Sequence, residues 1–326
     1  MPSRRRAVAV LLLLALLAGG SLVTALMAGS ISVSLPDALA ALAGDTTLAQ
    51  GEVVRSLRLP RALAAFACGG LLAVAGALMQ VLLRNPLADP YVLGISGGAG
   101  VGALGAILLG LPVLGVNLLA FSGALGAILL VFGLAHGDGS WTQTRLLLTG
   151  VIVAAGCGAL VALMLSLAPE SKLQNMLYWL MGDLSQAADP WPSLLALGLA
   201  LALAAPFARE MNLLARGLAA AQALGVAVFG LRRLIYAIAA LATATAVTTA
   251  GAVGFIGLIV PHLMRLAVGN DQRLLLPAAA LAGGTLLTLA DTLARTVVSP
   301  LQLPVGVLTA LIGVPVFLFL LSRHPR

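Results

Sequence analysis

At 326 residues, 61 % hydrophobic and 9 % charged, with a mean hydropathy of +1.09, this chain departs from soluble globular proteins, which are about 45–50 % apolar and about 25 % charged. So few polar side chains cannot cover a water-soluble fold, and a disordered chain would be polar and charge-rich; the solvent must be lipid. The excess of 18 Lys and Arg over 11 Asp and Glu is scattered between apolar runs, with 4 % aromatics; this does not suit nucleic acid, whose binders cluster a basic face with stacking rings, and it fits the positive-inside bias of membrane proteins.

At about 20 apolar residues per crossing the length admits roughly ten spans, so the expected fold class is an all-α membrane protein of about ten transmembrane helices. Arg4, Arg5 and Arg6 precede an uncharged run at 7–31. That run is longer than the core of about 7–15 residues in a signal peptide and reads as a first span with a cytoplasmic N-terminus. Further spans are expected at 62–83, 91–110, 113–135, 146–168, 192–208, 234–250, 253–268, 274–297 and 305–321, which returns the C-terminus to the cytoplasm. The stretch 170–191 is an outer connection with room for a short helix at 173–181. This topology puts thirteen basic residues inside and five outside, namely Arg55, Arg58, Arg61, Lys172 and Arg295, the asymmetry that sets orientation.

The outer arginines have two readings, snorkelling to lipid headgroups or docking an acidic partner through bidentate pairs. In the glycine-rich run after Tyr91, Gly100, Gly102 and Gly105 match G-x-G-x-x-G. No strand precedes the match and no acid follows about 20 residues on, so the small residues read as a helix-packing surface. The segment 209–233 interrupts the hydropathy; within it Leu213, Leu214, Leu218, Ala221 and Leu224 can share a helical face. That face is expected to press on another subunit, or to lie on lipid as an interfacial helix.

Asp291 and Arg295, one turn apart, can pair on a helix face, as a structural lock or as part of a polar mouth. Cys68 and Cys157 lie in apolar runs and read as packed thiols. His136, His262 and His324 are too scattered for a metal site. With no nucleophile, base or carboxylate constellation, the chain is not expected to be an enzyme.

Five motifs, in order, carry a resemblance: Arg58-Leu-Pro-Arg61, Asn85-Pro-Leu-Ala-Asp-Pro90 with its glycine run, Arg145-Leu-Leu-Leu-Thr-Gly150, Gly254-Phe-Ile-Gly-Leu-Ile-Val-Pro-His262 and Leu303-Pro-Val-Gly-Val-Leu-Thr309. From about residue 50 to the C-terminus the sequence resembles the FecCD-type permeases, membrane subunits of ATP-binding-cassette importers for iron–siderophores, haem and cobalamin. The resemblance implies a single permease domain over 1–326, in the bacterial inner membrane, forming a homodimer with a second copy around a central translocation path. Two ATPase subunits would bind below and a periplasmic substrate-binding protein above. ATP and Mg would sit on the ATPase, and this chain would hold no cofactor.

By position, the resemblance implies ATPase coupling by Asn212, Leu213, Leu214, Ala215, Arg216, Gly217, Ala221, Leu224 and Gly225, and docking of binding-protein glutamates by Arg58, Arg61 and Arg295. Asn85 and Leu87 match one cytoplasmic gate loop. Thr142, Gln143 and Thr144 occupy the other, where Gln143 departs from the small hydroxyl residues of the cobalamin permease. Met176-Leu-Tyr-Trp-Leu-Met-Gly-Asp183 resembles both the siderophore and the cobalamin branches; an iron chelate is the favoured cargo, with cobalamin or haem as alternatives. The rival class, an ion-driven secondary transporter, wants carboxylates or interrupted helices at the midplane, and only Asp291 lies inside an expected span.

Overall fold

Each of the ten expected spans has a helical counterpart in the computed structural model, which describes residues 4–29, 31–44, 49–135 and 142–322. The expectations resting on Asp45, His136, Asp138, Arg323, His324 and Arg326 lie outside the described residues. In chain order the helices are α1 (Arg4–Met27), α2 (Leu35–Ala43), α3 (Ala49–Glu52), α4 (Leu59–Leu82), α5 (Ile95–Leu108), α6 (Val113–Ala135), α7 (Gln143–Leu167), α8 (Glu170–Met181), α9 (Trp191–Ala204), α10 (Ala208–Arg216), α11 (Leu218–Ala223), α12 (Val228–Ala250), α13 (Ile256–Val268), α14 (Gln272–Thr296) and α15 (Val305–Ser322). A π-helical stretch, Val53–Arg58, runs straight into α4. The expected outer helix at 173–181 is α8. The helix α2 was not anticipated, although its signals are written locally: Ser34 caps its start by accepting from the Asp37 amide, and Gly44 closes it in the left-handed region.

Among the described residues seven helical stretches are long and apolar enough to cross a membrane, while α5, α13 and α15 are shorter. Two of these short helices are completed by irregular backbone. Before α5 comes a single 3-10 turn, Pro90–Leu93, ended by Gly94 at φ 74°. Before α13 comes a non-helical stretch, 251–255, ended by Phe255 at φ 70°, a conformation that bulky side chains avoid. Both breaks lie deep in the protein. Pro90 packs on Gly257, which sits beside Leu72 and Gly76 midway along α4. The Tyr91 hydroxyl accepts from the Val253 amide at 3.1 Å. Non-helical backbone is tolerated at membrane depth only where protein or a cavity shields it, and these segments meet that condition.

The centre of the bundle is α4, buried nearly all round, with α12, α13 and α14 packed on it. Small residues allow the approach. Gly69 meets Gly283 backbone to backbone, and Gly76 meets the Gly257 carbonyl with no space for a methyl. The glycine run of α5 works likewise, with Gly98 against Gly123 and Gly102 against Leu119 of α6. The outer helices turn large apolar side chains outward, among them Leu16, Ile152, Leu195 and Leu311. Without water to order around it, such a surface is stable only in lipid. Cys68 and Cys157 are free thiols, Cys68 buried beside Ser193.

Candidate functional site

The polar side chains of interest gather at the two ends of α4, about 35 Å apart at 1.5 Å per residue from Arg61 to Arg84.

At the first end, three arginines and one acid join four segments. Arg58 is 5 % exposed. Its Nη1 donates to the carbonyls of Leu26 at 2.8 Å and Met27 at 3.0 Å, and its Nη2 to Ile31 at 2.5 Å. These include the orphan carbonyls at the end of α1, which a buried helix terminus must have satisfied. Gly29 leaves the space the guanidinium occupies; a methyl there would collide with it. Arg61 grips Asp291 with Nε at 3.1 and 3.0 Å and Nη2 at 2.8 Å, and its Nη1 reaches Gln302 at 2.9 Å. Arg295 closes on the same acid at 3.3 Å and donates to Ala25 at 3.0 Å and Ala28 at 3.4 Å. Asp291 is 1 % exposed, so the Asp291–Arg295 pair takes the form of a lock. The three arginines expected to face a partner therefore spend their donors inside this chain, and the neighbour that stands exposed is Arg55.

At the second end, the two loops matched to a gate come together. The chain leaves α4 through Arg84 in the left-handed region at φ 45°, with the Arg84 amide on Val81 and the Asn85 amide on Gln80. This is a Schellman closure, made here without the usual glycine. Arg84 Nη2 donates to Gln143 Oε1 at 3.2 Å, and Gln143 Nε2 donates to the Leu82 carbonyl at 3.1 Å. Gln143, the side chain that departs from the expected small hydroxyl residues, is thus the one bridging the two loops. Thr142 caps α7 by accepting from the Arg145 amide. Asn85, Leu87 and Thr144 are exposed, and Asn85 Oδ1 accepts from the Leu87 amide at 2.9 Å, folding the loop tip. Further along the loop, Asp89 caps the 3-10 turn by accepting from the Tyr91 amide at 2.7 Å, while burial lifts its carboxyl to about 6.

The segment matched to ATPase coupling lies at this same end as α10 and α11. Its apolar face is arranged differently from the sequence expectation. Met211, Leu214 and Ala221 are buried in the chain's own core, and Leu213 and Leu218 pack against that core half-buried. The face was read as waiting for another subunit because periodicity gives its polarity but not its occupant. What remains outward is Ala215, Arg216, Ala219, Ala220, Gln222, Ala223, Leu224 and Gly225. Asn212 also turns inward: its Nδ2 donates to Asp271 Oδ1 at 2.8 Å, and its Oδ1 accepts from the Gln272 amide at 2.9 Å.

Comparisons with known proteins agree with the overall helical architecture. The model of the FecCD transport family matches residues 11–323. A cobalamin import system permease, BtuC of Halobacterium salinarum, is 43 % identical over 272 residues, covering 82 % of this chain and 73 % of the relative. The vitamin B12 import permease BtuC of Shigella boydii is 39 % identical over 325 residues, covering 97 % and 94 %. Among solved structures, a metal-chelate-type ABC transporter in an inward-facing conformation superposes with a TM-score of 0.86 at 32 % identity, covering 96 % of this chain and 99 % of that one. PsaBC from Streptococcus pneumoniae, at 18 % identity and a TM-score of 0.55, shares the fold.

Proposed function

We propose, from the premise that the chain belongs to the FecCD transport family, that its cargo is cobalamin. The chain is the multi-pass permease subunit of an ABC importer, not an enzyme, and such a subunit works with ATPase and binding-protein partners. The observation that carries the cargo assignment is the identity of about 40 % to cobalamin import permeases over most of the chain. The iron chelate favoured by the sequence reading yields to it; cobalamin is itself a large metal chelate, consistent with the class of the solved relative.

In this reading one permease domain pairs with a second copy around a shared path, with its N- and C-termini and the Arg84 end in the cytoplasm. Two ATPase subunits, carrying ATP and Mg, meet the outward residues of α10 and α11. A binding protein docks at the opposite end, where Arg55 offers an exposed guanidinium and where Arg58, Arg61 and Arg295 shape the surface from beneath. A cargo of this size needs a cavity open to one side at a time, which rocking of packed helices supplies. The bridge from Arg84 to Gln143 holds the two gate loops of one chain together, so that they move as a unit between states separated by a few kcal/mol.

The test is uptake by vesicles holding the permease with its ATPase, supplied with the binding protein loaded in turn with cobalamin, haem or a ferric siderophore. ATP-dependent accumulation of cobalamin above the other two is expected. Preference for a siderophore overturns the cargo, and accumulation without ATP overturns the importer reading.

A further inference from the structure

Asn212 opens the segment matched to ATPase contact, yet both functional atoms of its amide are used inside the chain. Nδ2 donates to Asp271 Oδ1 and Oδ1 accepts from the Gln272 amide, at 2.8 and 2.9 Å. Asp271 Oδ1 also accepts from the Arg273 amide at 3.1 Å, so the acid that holds Asn212 is the N-cap of α14. The contact lies at the rim of the core: Asn212 is half-buried and Asp271 exposed, while Gln272 is 2 % exposed and Met211 and Leu214 are buried beneath it. Beyond Arg216 the helix is interrupted at Gly217, at φ 136°, so the Asn212 contact ties α10 to α14 just before the direction of the chain changes.

From Asp271, α14 runs along α4, pinned by the Gly69–Gly283 contact, to Asp291 and Arg295, about 30 Å away at 1.5 Å per residue. There it is gripped again by Arg61 and by the end of α1. Both ends of one helix are therefore fastened, one to the coupling segment and the other to the arginine cluster. Packed elements of this kind shift as bodies rather than deform.

We propose that Asn212 is a positioning residue of the transport cycle. It clasps α10 to the first turn of α14, so that displacement of the coupling segment by the ATPase reaches the helix carrying Asp291 and Arg295. The proposal rests on the importer reading above and names a part within it.

The test uses the permease with its ATPase in vesicles and reads the stimulation of ATP hydrolysis by added binding protein. Asn212→Ala is expected to lower that stimulation by about fivefold or more, the scale of a site-to-site coupling. Asn212→Asp, which sets one carboxylate against another, is expected to do the same. Combining Asn212→Asp with Asp271→Asn restores a donor facing an acceptor and is expected to restore most of the stimulation. A residue that only touched the ATPase surface would not be rescued by its partner on α14. Unchanged stimulation in Asn212→Ala overturns the clasp, and so does failure of the double exchange in a variant whose thermal midpoint matches the wild type. Absence of stimulation in the wild type itself overturns the importer reading, which separates the two failures.

Discussion

The arginines at the two ends of α4 are used differently, although Arg55 at the outer end is exposed and Arg232 at the inner end is buried. At the outer end Arg58, Arg61 and Arg295 are withdrawn from solvent and satisfied by an acid and by the last carbonyls of α1. At the inner end Arg84 and Arg216 are exposed, and the exposed Arg233 lies over the Phe229 ring at 3.9 Å. A guanidinium can be buried where a helix terminus offers carbonyl acceptors and a carboxylate offers charge. It stays outside where neither is within reach. The outer end is accordingly a joint that fixes α1, α4 and α14 to one another, and the inner end is a surface that can be met by other chains.

Breaking the joint should have the largest effect. Asp291→Ala leaves Arg61 and Arg295 facing each other in a buried site, and removal of one partner from a buried pair costs about 3–5 kcal/mol. A marked fall in the thermal midpoint of the detergent-solubilised protein is expected, with Asp291→Asn intermediate because it keeps an acceptor for Arg61. A midpoint within a degree of the wild type would show that the outer cluster is ornamental to the fold.

The next effect separates the bundle centre from its lipid face. Gly76→Ala drives a methyl into the Gly257 carbonyl, a backbone atom that cannot swing away, and overpacking of this kind costs about 1–3 kcal/mol. Gly126→Ala, on an exposed face of α6 with nothing within 4 Å, is expected to leave the midpoint unchanged or slightly raised, since alanine favours the helix over glycine. The difference between the two variants, measured side by side, is the quantity of interest. Equal midpoints would mean that α4 and α13 are not in backbone contact.

The same contrast explains what the sequence made legible. Ten spans could be read because hydropathy and charge asymmetry are properties of composition, and lipid enforces them over whole segments. The break at 251–255 was hidden because Ala252, Val253 and Phe255 keep the segment apolar, so hydropathy does not fall where the helix stops. Gly251 and Gly254 were the available signal. The pairing of Asp291 with Arg295 followed from helical spacing, but Arg61, 230 positions away, joins it only through the packing of α4 on α14. The coupling face was read with the right periodicity and the wrong occupant for Leu214 and Ala221, since an amphipathic pattern does not say which apolar surface covers it. Arg58 looked available for docking because α1's carbonyls are invisible in a residue string.

The smallest effect on stability, and the sharpest on assembly, is expected at Arg216. It is exposed and sits in the last turn of α10, where a cation favours the helix dipole by about 0.3–1 kcal/mol. Arg216→Glu should therefore move the thermal midpoint only slightly. If the outward residues of α10 and α11 are what the ATPase grips, reversing the charge at Arg216 changes the electrostatics of that contact without touching the core, and the complex should dissociate at lower salt than the wild type. Exposed charges farther apart than the Debye length are largely screened, and that length shrinks from about 10 Å at 0.1 M salt to about 3 Å at 1 M, so wild type and variant should converge as salt is raised. ATPase co-purification measured against ionic strength decides the matter: curves that coincide at every salt concentration would place the grip elsewhere, and a variant that unfolds would place Arg216 with the joint rather than with the surface.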